Sequence, residues 1–151
     1  PPPPRPSVVW TARSGEAAAL GREWVAACRA APASVDVLLG GGEATVTVHG
    51  DGVGGRNTEF ALAGALALAE SGLQEWTIAS LATDGDDGPT GAAGAVADAG
   101  TVARARAAGV DSAEALARND SLRVFEAAGG LVRPGPTGTN VNDLYLAVRR
   151  T

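Results

Sequence analysis

The run from Asn57 to Ser71, Asn-Thr-Glu-Phe-Ala-Leu-Ala-Gly-Ala-Leu-Ala-Leu-Ala-Glu-Ser, contains no Pro, only Gly64 inside it, and almost no polar side. Ala and Leu are strong helix formers, so the run reads as a helix. A surface helix keeps a polar stripe opposite its apolar one, whereas a helix that is apolar nearly all round has to be covered on most sides. The fold must therefore wrap around this segment. Short apolar runs beside it supply a sheet. Trp76-Thr-Ile-Ala-Ser-Leu-Ala82 follows as a buried-type strand, and Val35-Asp-Val-Leu-Leu39 and the alternating Ala44-Thr-Val-Thr-Val48 precede as two more, with Gly40-Gly-Gly42 suggesting a bend between them. This β-α-β rhythm predicts an α/β fold, a layered sheet with flanking helices in a single compact domain.

Elsewhere, Ser7 to Thr11 reads as a strand, and Ser14 as the N-cap of an amphipathic helix from Gly15 to about Ala30 that Pro32 ends. Leu20, Trp24, Val25 and Cys28 share one face of that helix. Thr101 to Ala108 and Asp111 to Arg118 read as short helices, the second opened by Asp111-x-x-Glu114, which has the form of a capping box. Asp120 is the expected cap of a further helix, Ser121 to Ala128. Leu131 to Arg133 and Leu144 to Val148 read as strands that bracket the last loop. Trp10, Trp24 and Trp76 fall within predicted elements and are expected in the core. Residues 1–6 read as an extended tail or linker remnant, residues 7–31 as a strand-helix lead-in, and residues 32–151 as the main domain.

A chain of 151 residues buries roughly 68–70% of its unfolded surface. A net charge of −5 without a long basic run excludes nucleic acid and anionic membrane surfaces as partners, because both would repel it. The apolar stretches are too short and Gly-broken for a membrane span, and Pro1 to Pro6 lack the apolar core of a signal peptide. Cys28 is the only cysteine, so no intramolecular disulfide forms and a cytoplasmic location is expected. His49 and Cys28 stand on separate elements without triad or zinc partners. With no Met anywhere, the chain reads either as one whose initiator was removed before Pro or as a fragment of a longer protein.

Chemistry concentrates in three polar, Gly-rich loops beside predicted strands, which are expected to share one edge of the sheet. The first, Gly50 to Glu59, carries Arg56, the only Arg or Lys between Arg29 and Arg104. Gly50-x-Gly52-x-x-Gly55 has the form of a dinucleotide fingerprint, but Asp84 lies further on than the ~20 residues that its acidic partner requires, and Asp51 would repel a pyrophosphate. A different use of the same geometry is an anion site. Helix N–H groups after Gly54 and Gly55, the Arg56 fork and the neighbouring Asn57 would hold phosphate or carboxylate oxygens. The alternative is a surface pair of Arg56 with Glu59 or Asp51.

In the second loop, Thr83 to Thr90, Asp84, Asp86 and Asp87 could present oxygen ligands to Mg²⁺, or serve as turn residues. In the third, Gly135 to Asp143, Thr137, Thr139, Asn140 and Asn142 offer hydrogen-bonding groups, and Gly138 would let a ligand approach the backbone. Turn formation is the competing role there too.

Taken in order, Gly40-Gly-Gly-Glu-Ala-Thr-Val-Thr-Val48, Gly54-Gly-Arg-Asn-Thr-Glu59, Thr83-Asp-Gly-Asp-Asp-Gly-Pro-Thr90, Asn119-Asp-Ser121 and Gly135 to Leu144 resemble the MOFRL domain, over roughly residues 35 to 150. That domain is the C-terminal part of the glycerate 2-kinases, a family also labelled hydroxypyruvate reductase. The resemblance implies the C-terminal half of a two-domain enzyme. It implies ATP- and Mg²⁺-dependent phosphate transfer to the 2-hydroxyl of D-glycerate, or a related hydroxy acid, in a cleft shared with an N-terminal Rossmann-like domain. It makes Arg56 the catalytic cation and places Asp84 and Asn140 at matching motif positions; with Gly54, Gly55, Asn57 and Thr139 from the loop reading, these are the expected substrate- or phosphate-binding residues, and the metal ligands stay open. A lysine from the N-terminal domain would complete the site, and this chain has no Lys. Thr58 departs from the family by replacing a Gln. Half a clamp implies little activity in isolation. Two other readings remain: part of an NAD(P)H-dependent hydroxypyruvate reductase, and a non-catalytic module that binds a small anion.

Overall fold

In the computed structural model, which describes residues 3–150, nine consecutive residues from Asn57 to Ala65 are buried within the helix α2, Arg56–Ser71. The cover is built by every other helix and by one face of a sheet. Helices α1 (Ala17–Ala30), α3 (Thr101–Ala107), α4 (Ser112–Ala117) and α5 (Ser121–Ala128) all contact α2. Beneath α2 lie the inward residues Trp76, Ile78 and Ser80, each fully buried, together with Ala95, Ala97, Tyr145 and Ala147. The result is a mixed α/β domain of two layers, a sheet and one layer of helices.

The sheet has six strands among the described residues, in the order β1 (Pro6–Glu16), β2 (Val37–Thr45), β6 (Asp143–Arg149), β3 (Trp76–Ala82), β4 (Gly94–Asp98) and β5 (Leu131–Val132). Strands β1 and β2 are parallel and joined through α1; all the other pairings are antiparallel. Strand β6 returns from the end of the chain and inserts between β2 and β3. That insertion decides where the chemistry sits, because the register places Asp143 opposite both Gly42 and Ala82.

Aromatic packing fixes the junction of the two layers. Tyr145 of β6 stacks on Phe60 of α2 with centroids 4.6 Å apart, and Trp24 donates its indole N–H to the Leu146 carbonyl at 3.1 Å. Trp10 packs at 4.9 Å from Trp24 but is only partly buried, whereas Trp24 and Trp76 are fully buried. Burial pushes the Cys28 thiol up to about 12, so it is no nucleophile near neutral pH. Among the described residues no helix is long and apolar enough to cross a membrane.

The structure corrects several details of the sequence reading. The two expected strands around Gly40-Gly-Gly42 are one strand, β2, without a bend, and residues 46–48 lie outside it. A side chain at Gly42 would overlap the backbone of Arg13, so the glycine is there to let β1 approach. Strand β1 runs from Pro6 to Glu16, and Arg5 is already paired with Asp36 at 2.9 Å. Ser14 therefore lies in a strand, and Glu16 occupies the N-cap position of α1. Asp120 makes no capping bond to α5; its Oδ1 accepts instead from the Val53 N–H. Asp111 does cap α4, accepting from the N–H groups of Ala113 and Glu114 at 2.9 Å each. Of the expected tail, residues 1 and 2 lie outside the described residues.

Candidate functional site

The three polar loops do meet at one edge of the sheet, beyond the C-terminal ends of β2 and β3 and the N-terminal end of β6. Two buried carboxylates join them. Asp143, whose side chain is fully buried, receives Arg56 Nε on both oxygens, at 3.0 and 2.8 Å. It also accepts from Asn57 Nδ2 at 3.0 Å and from the Ala44 N–H at 3.3 Å. Arg56 is thus anchored at Nε and is not a surface partner of Glu59 or Asp51. Asp51 pairs with Arg118 and Glu59 with Asn119.

The hydrogen bond to Asp143 raises the Arg56 pKa further, with contributions from the charges of Asp87 and Asp84, so the guanidinium is permanently charged. Its side chain is 29% exposed. Among the described residues, neither Nη nitrogen takes a hydrogen-bond partner. An Arg locked at Nε with both Nη groups free is a two-pronged donor held in one orientation, which suits phosphate or carboxylate oxygens.

Asp87, also buried, occupies the place where a ligand anion was expected. Its Oδ1 accepts from the Asn57 N–H at 2.8 Å and from Asn57 Nδ2 at 3.3 Å, and its Oδ2 from the Thr58 N–H at 2.8 Å and Thr58 Oγ1 at 2.9 Å. Gly55 stands at the N-cap of α2 and has no side chain with which to accept those N–H groups. The carboxylate of Asp87 enters the vacant volume and caps the helix from another loop. Burial pushes its carboxyl above the ordinary carboxylate range, against the pull of the four donors. A Cβ at Gly55 would overlap both the Asp87 carboxylate and its carbonyl. Gly55→Ala should therefore lower stability by about 1–3 kcal/mol through overpacking, seen as a lower urea midpoint; an unchanged midpoint would contradict this packing.

The sequence-predicted site residues divide accordingly. Asn57 is 1% exposed, and its side chain is used by Asp87, Asp143 and Ser80, the last donating to Oδ1 at 2.6 Å. It positions its neighbours rather than facing a ligand. Thr58, the family departure, is fully buried; it accepts from Gly55 N–H and Ser121 Oγ while holding Asp87. Gly50 and Gly52 sit against the backbone of Arg118, and Gly54 against Ser121, so these glycines admit the 118–121 segment. No room for a pyrophosphate remains in this turn, and the dinucleotide fingerprint is structural.

Asp84 and Asn140 do come together. Asn140 Nδ2 donates to Asp84 Oδ2 at 3.1 Å, while Asp84 Oδ1 accepts from the Asp86 N–H at 3.1 Å. Thr139 is exposed and bonds only within its own loop, through Thr137. The three loop aspartates do not converge: Asp87 is turned inward, Asp86 is exposed and Asp84 is half-buried. An open groove of about 410 Å³ is lined by Asp84, Gly85, Asp86, Gly91, Gly135 and Pro136. Among the described residues no group of three or more His, Cys, Asp or Glu side chains could hold a metal ion by itself. The sequence reading missed Asp143 as the partner of Arg56 and Asp87 as the cap of α2. An N-cap glycine followed by Arg-Asn-Thr was the available sign that an acceptor had to come from elsewhere.

Fold and site together define an α/β domain whose polar loops gather at one sheet edge around an arginine held by a buried carboxylate. The chain belongs to the MOFRL family, whose model matches residues 36–143. It is 46% identical over 111 residues to a D-glycerate 2-kinase of Thermotoga maritima, covering 74% of this chain and 26% of that protein. An Agrobacterium vitis protein that carries a hydroxypyruvate reductase name is 43% identical over 148 residues, covering 92% of this chain and 33% of its own length. In three dimensions the chain is similar to the crystal structure of the Thermotoga maritima glycerate kinase, with a TM-score of 0.89 and 37% identity, over 97% of this chain and 36% of that one. The chain therefore spans about a third or less of the length of these relatives.

Proposed function

We propose that this chain forms the C-terminal, Arg56-bearing part of a glycerate 2-kinase that transfers phosphate from ATP to the 2-hydroxyl of D-glycerate. The observation that carries the reading is the state of Arg56, whose Nε is bound to Asp143 and whose Nη pair is free, in a chain 46% identical to a D-glycerate 2-kinase. Phosphoryl transfer is mainly positioning and charge stabilisation, and a cation on the migrating group is worth about 10³–10⁵ in rate. Arg56 is oriented for that task before any ligand arrives. Asp84 and Asp86, at the rim of the groove, are the residues that would hold Mg²⁺, with phosphate and water oxygens completing its shell. Bound Mg²⁺ would neutralise the phosphate charge. The N–H groups of Asn57 and Thr58 at the start of α2 are not offered to phosphate here, because Asp87 already takes them.

One cation cannot enclose a triphosphate and a carboxylate substrate, so the opposite wall, with its lysine, comes from an N-terminal domain outside this chain. The expected result is no D-glycerate-dependent ADP release by the chain alone in a coupled assay, and turnover once the N-terminal part is supplied. Robust turnover by the chain alone would remove the claim of inactivity in isolation. The name of the Agrobacterium vitis relative supports a second reading, an NAD(P)H-dependent hydroxypyruvate reductase. Hydroxypyruvate-dependent NADH oxidation that is indifferent to ATP would favour it. The filled glycine turn at residues 50–55 speaks against a nicotinamide dinucleotide on this domain.

A further inference from the structure

All five helices lie on one face of the sheet. Among the described residues the opposite face carries none, yet it is not the polar face that a sheet presents to water. Antiparallel sheets with one solvated side alternate apolar-in with polar-out residues. Here the outward positions of β6 are Leu144, Leu146 and Val148, and register sets Leu146 between Leu39 of β2 and Ala79 of β3, and Leu144 beside Leu81. Leu144 and Val148 are 37% and 46% exposed, and Val8, opposite Leu39 on β1, is 63% exposed. Apolar rows continuous across four strands mark an interaction surface.

We infer that this face is the seat of the remaining polypeptide of the full-length enzyme, which packs an apolar surface of its own against it. The inference rests on the kinase reading only for the identity of that polypeptide. Two observations select this occupant over a second copy of the chain. The relatives carry roughly two thirds or more of their length outside the part matched here, so ample chain exists to form the missing layer. The face also ends where the site lies: the Leu81–Leu144 pair is next along the strands to the Ala82–Asp143 pair, whose Asp143 side chain holds Arg56 on the helix side of the same sheet end. A layer seated there reaches the sheet edge and can supply the second wall, whereas a second copy of net charge −5 brings like charge and no lysine.

The test is co-expression of this chain with the Thermotoga maritima kinase from which the matching segment has been excised, followed by purification on a tag carried by the chain. The two should co-elute with the unmodified chain. Val8→Glu and Val148→Glu should each lower recovery of the partner about tenfold or more, since a charge would be buried at the contact. The same substitutions should leave the melting temperature of the isolated chain within about 2 °C, because there the face is open to water. Undiminished recovery with both variants would overturn the assignment, as would failure of the unmodified chain to co-elute. A dimer of the chain alone that Val148→Glu splits in sedimentation equilibrium would give the face to a second copy. Co-elution without phosphate transfer would count against the kinase reading and leave this inference standing.

Discussion

Asp87→Ala should cost the isolated chain about 3–5 kcal/mol of unfolding free energy, a large share of the ~5–15 kcal/mol that holds a domain of this kind together. The change leaves the buried N–H groups of Asn57 and Thr58 without acceptors, each costing about 1–3 kcal/mol, and it empties volume beneath the α2 N-terminus. Asp87→Asn should cost less. It keeps one acceptor oxygen and the shape, and it removes a charge that burial already makes expensive. Urea unfolding with an unchanged slope is the measurement. A loss below about 1 kcal/mol for the alanine variant would show that the cap is not what secures α2.

The second large effect concerns rate. Arg56→Ala in the assembled kinase should lower kcat by about 10³–10⁵. Arg56→Lys should recover little of it, because lysine has one side-chain nitrogen and cannot bind Asp143 as Nε does while presenting two further nitrogens to a ligand. Stability changes should be modest by comparison. Asp143 keeps Asn57 and the Ala44 N–H as donors after the loss of Arg56, and solvent screens an arginine side chain that is 29% exposed. We expect about 1–2 kcal/mol on that account, to be checked by thermal melting beside the kinetics. Near-normal turnover would take Arg56 out of the site.

Helix α2 was legible from composition alone, since Ala and Leu on all sides demand both helicity and burial, and the observed helix differs from the expected one by a single residue at its start. The sequence concealed β4 because Gly94-Ala-Val-Ala-Asp98 has one β-branched residue and is a strand only by pairing with β3. The three glycines of β2 looked like punctuation, but Gly40 and Gly42 are instead places where Trp24 and β1 approach closely. In the candidate site, the lone cation between Gly55 and Asn57 pointed to the residue that the structure sets on Asp143 at the sheet edge where the three loops meet. Its partner could not be read, because Asp143 lies 87 residues away and meets it only through the insertion of β6 between β2 and β3. Nor does local sequence separate Asp87 from Asp84 and Asp86. Which of three aspartates in one turn faces inward depends on the cavity left by a glycine on another loop.

The fastening of the second loop constrains how this domain can move. Residues 83–87 are tied at one end to the third loop, through Thr83, Asp84 and Asn140, and at the other to α2 through Asp87. Such a loop cannot swing over a substrate as a lid without uncapping its own helix. On the kinase reading, closure around a phosphate donor would then be a rigid-body approach of this whole block toward its counterpart, with no hinge in the second loop. Time-resolved distance changes between labels placed on the two blocks, rather than within this one, would report catalysis as it happens.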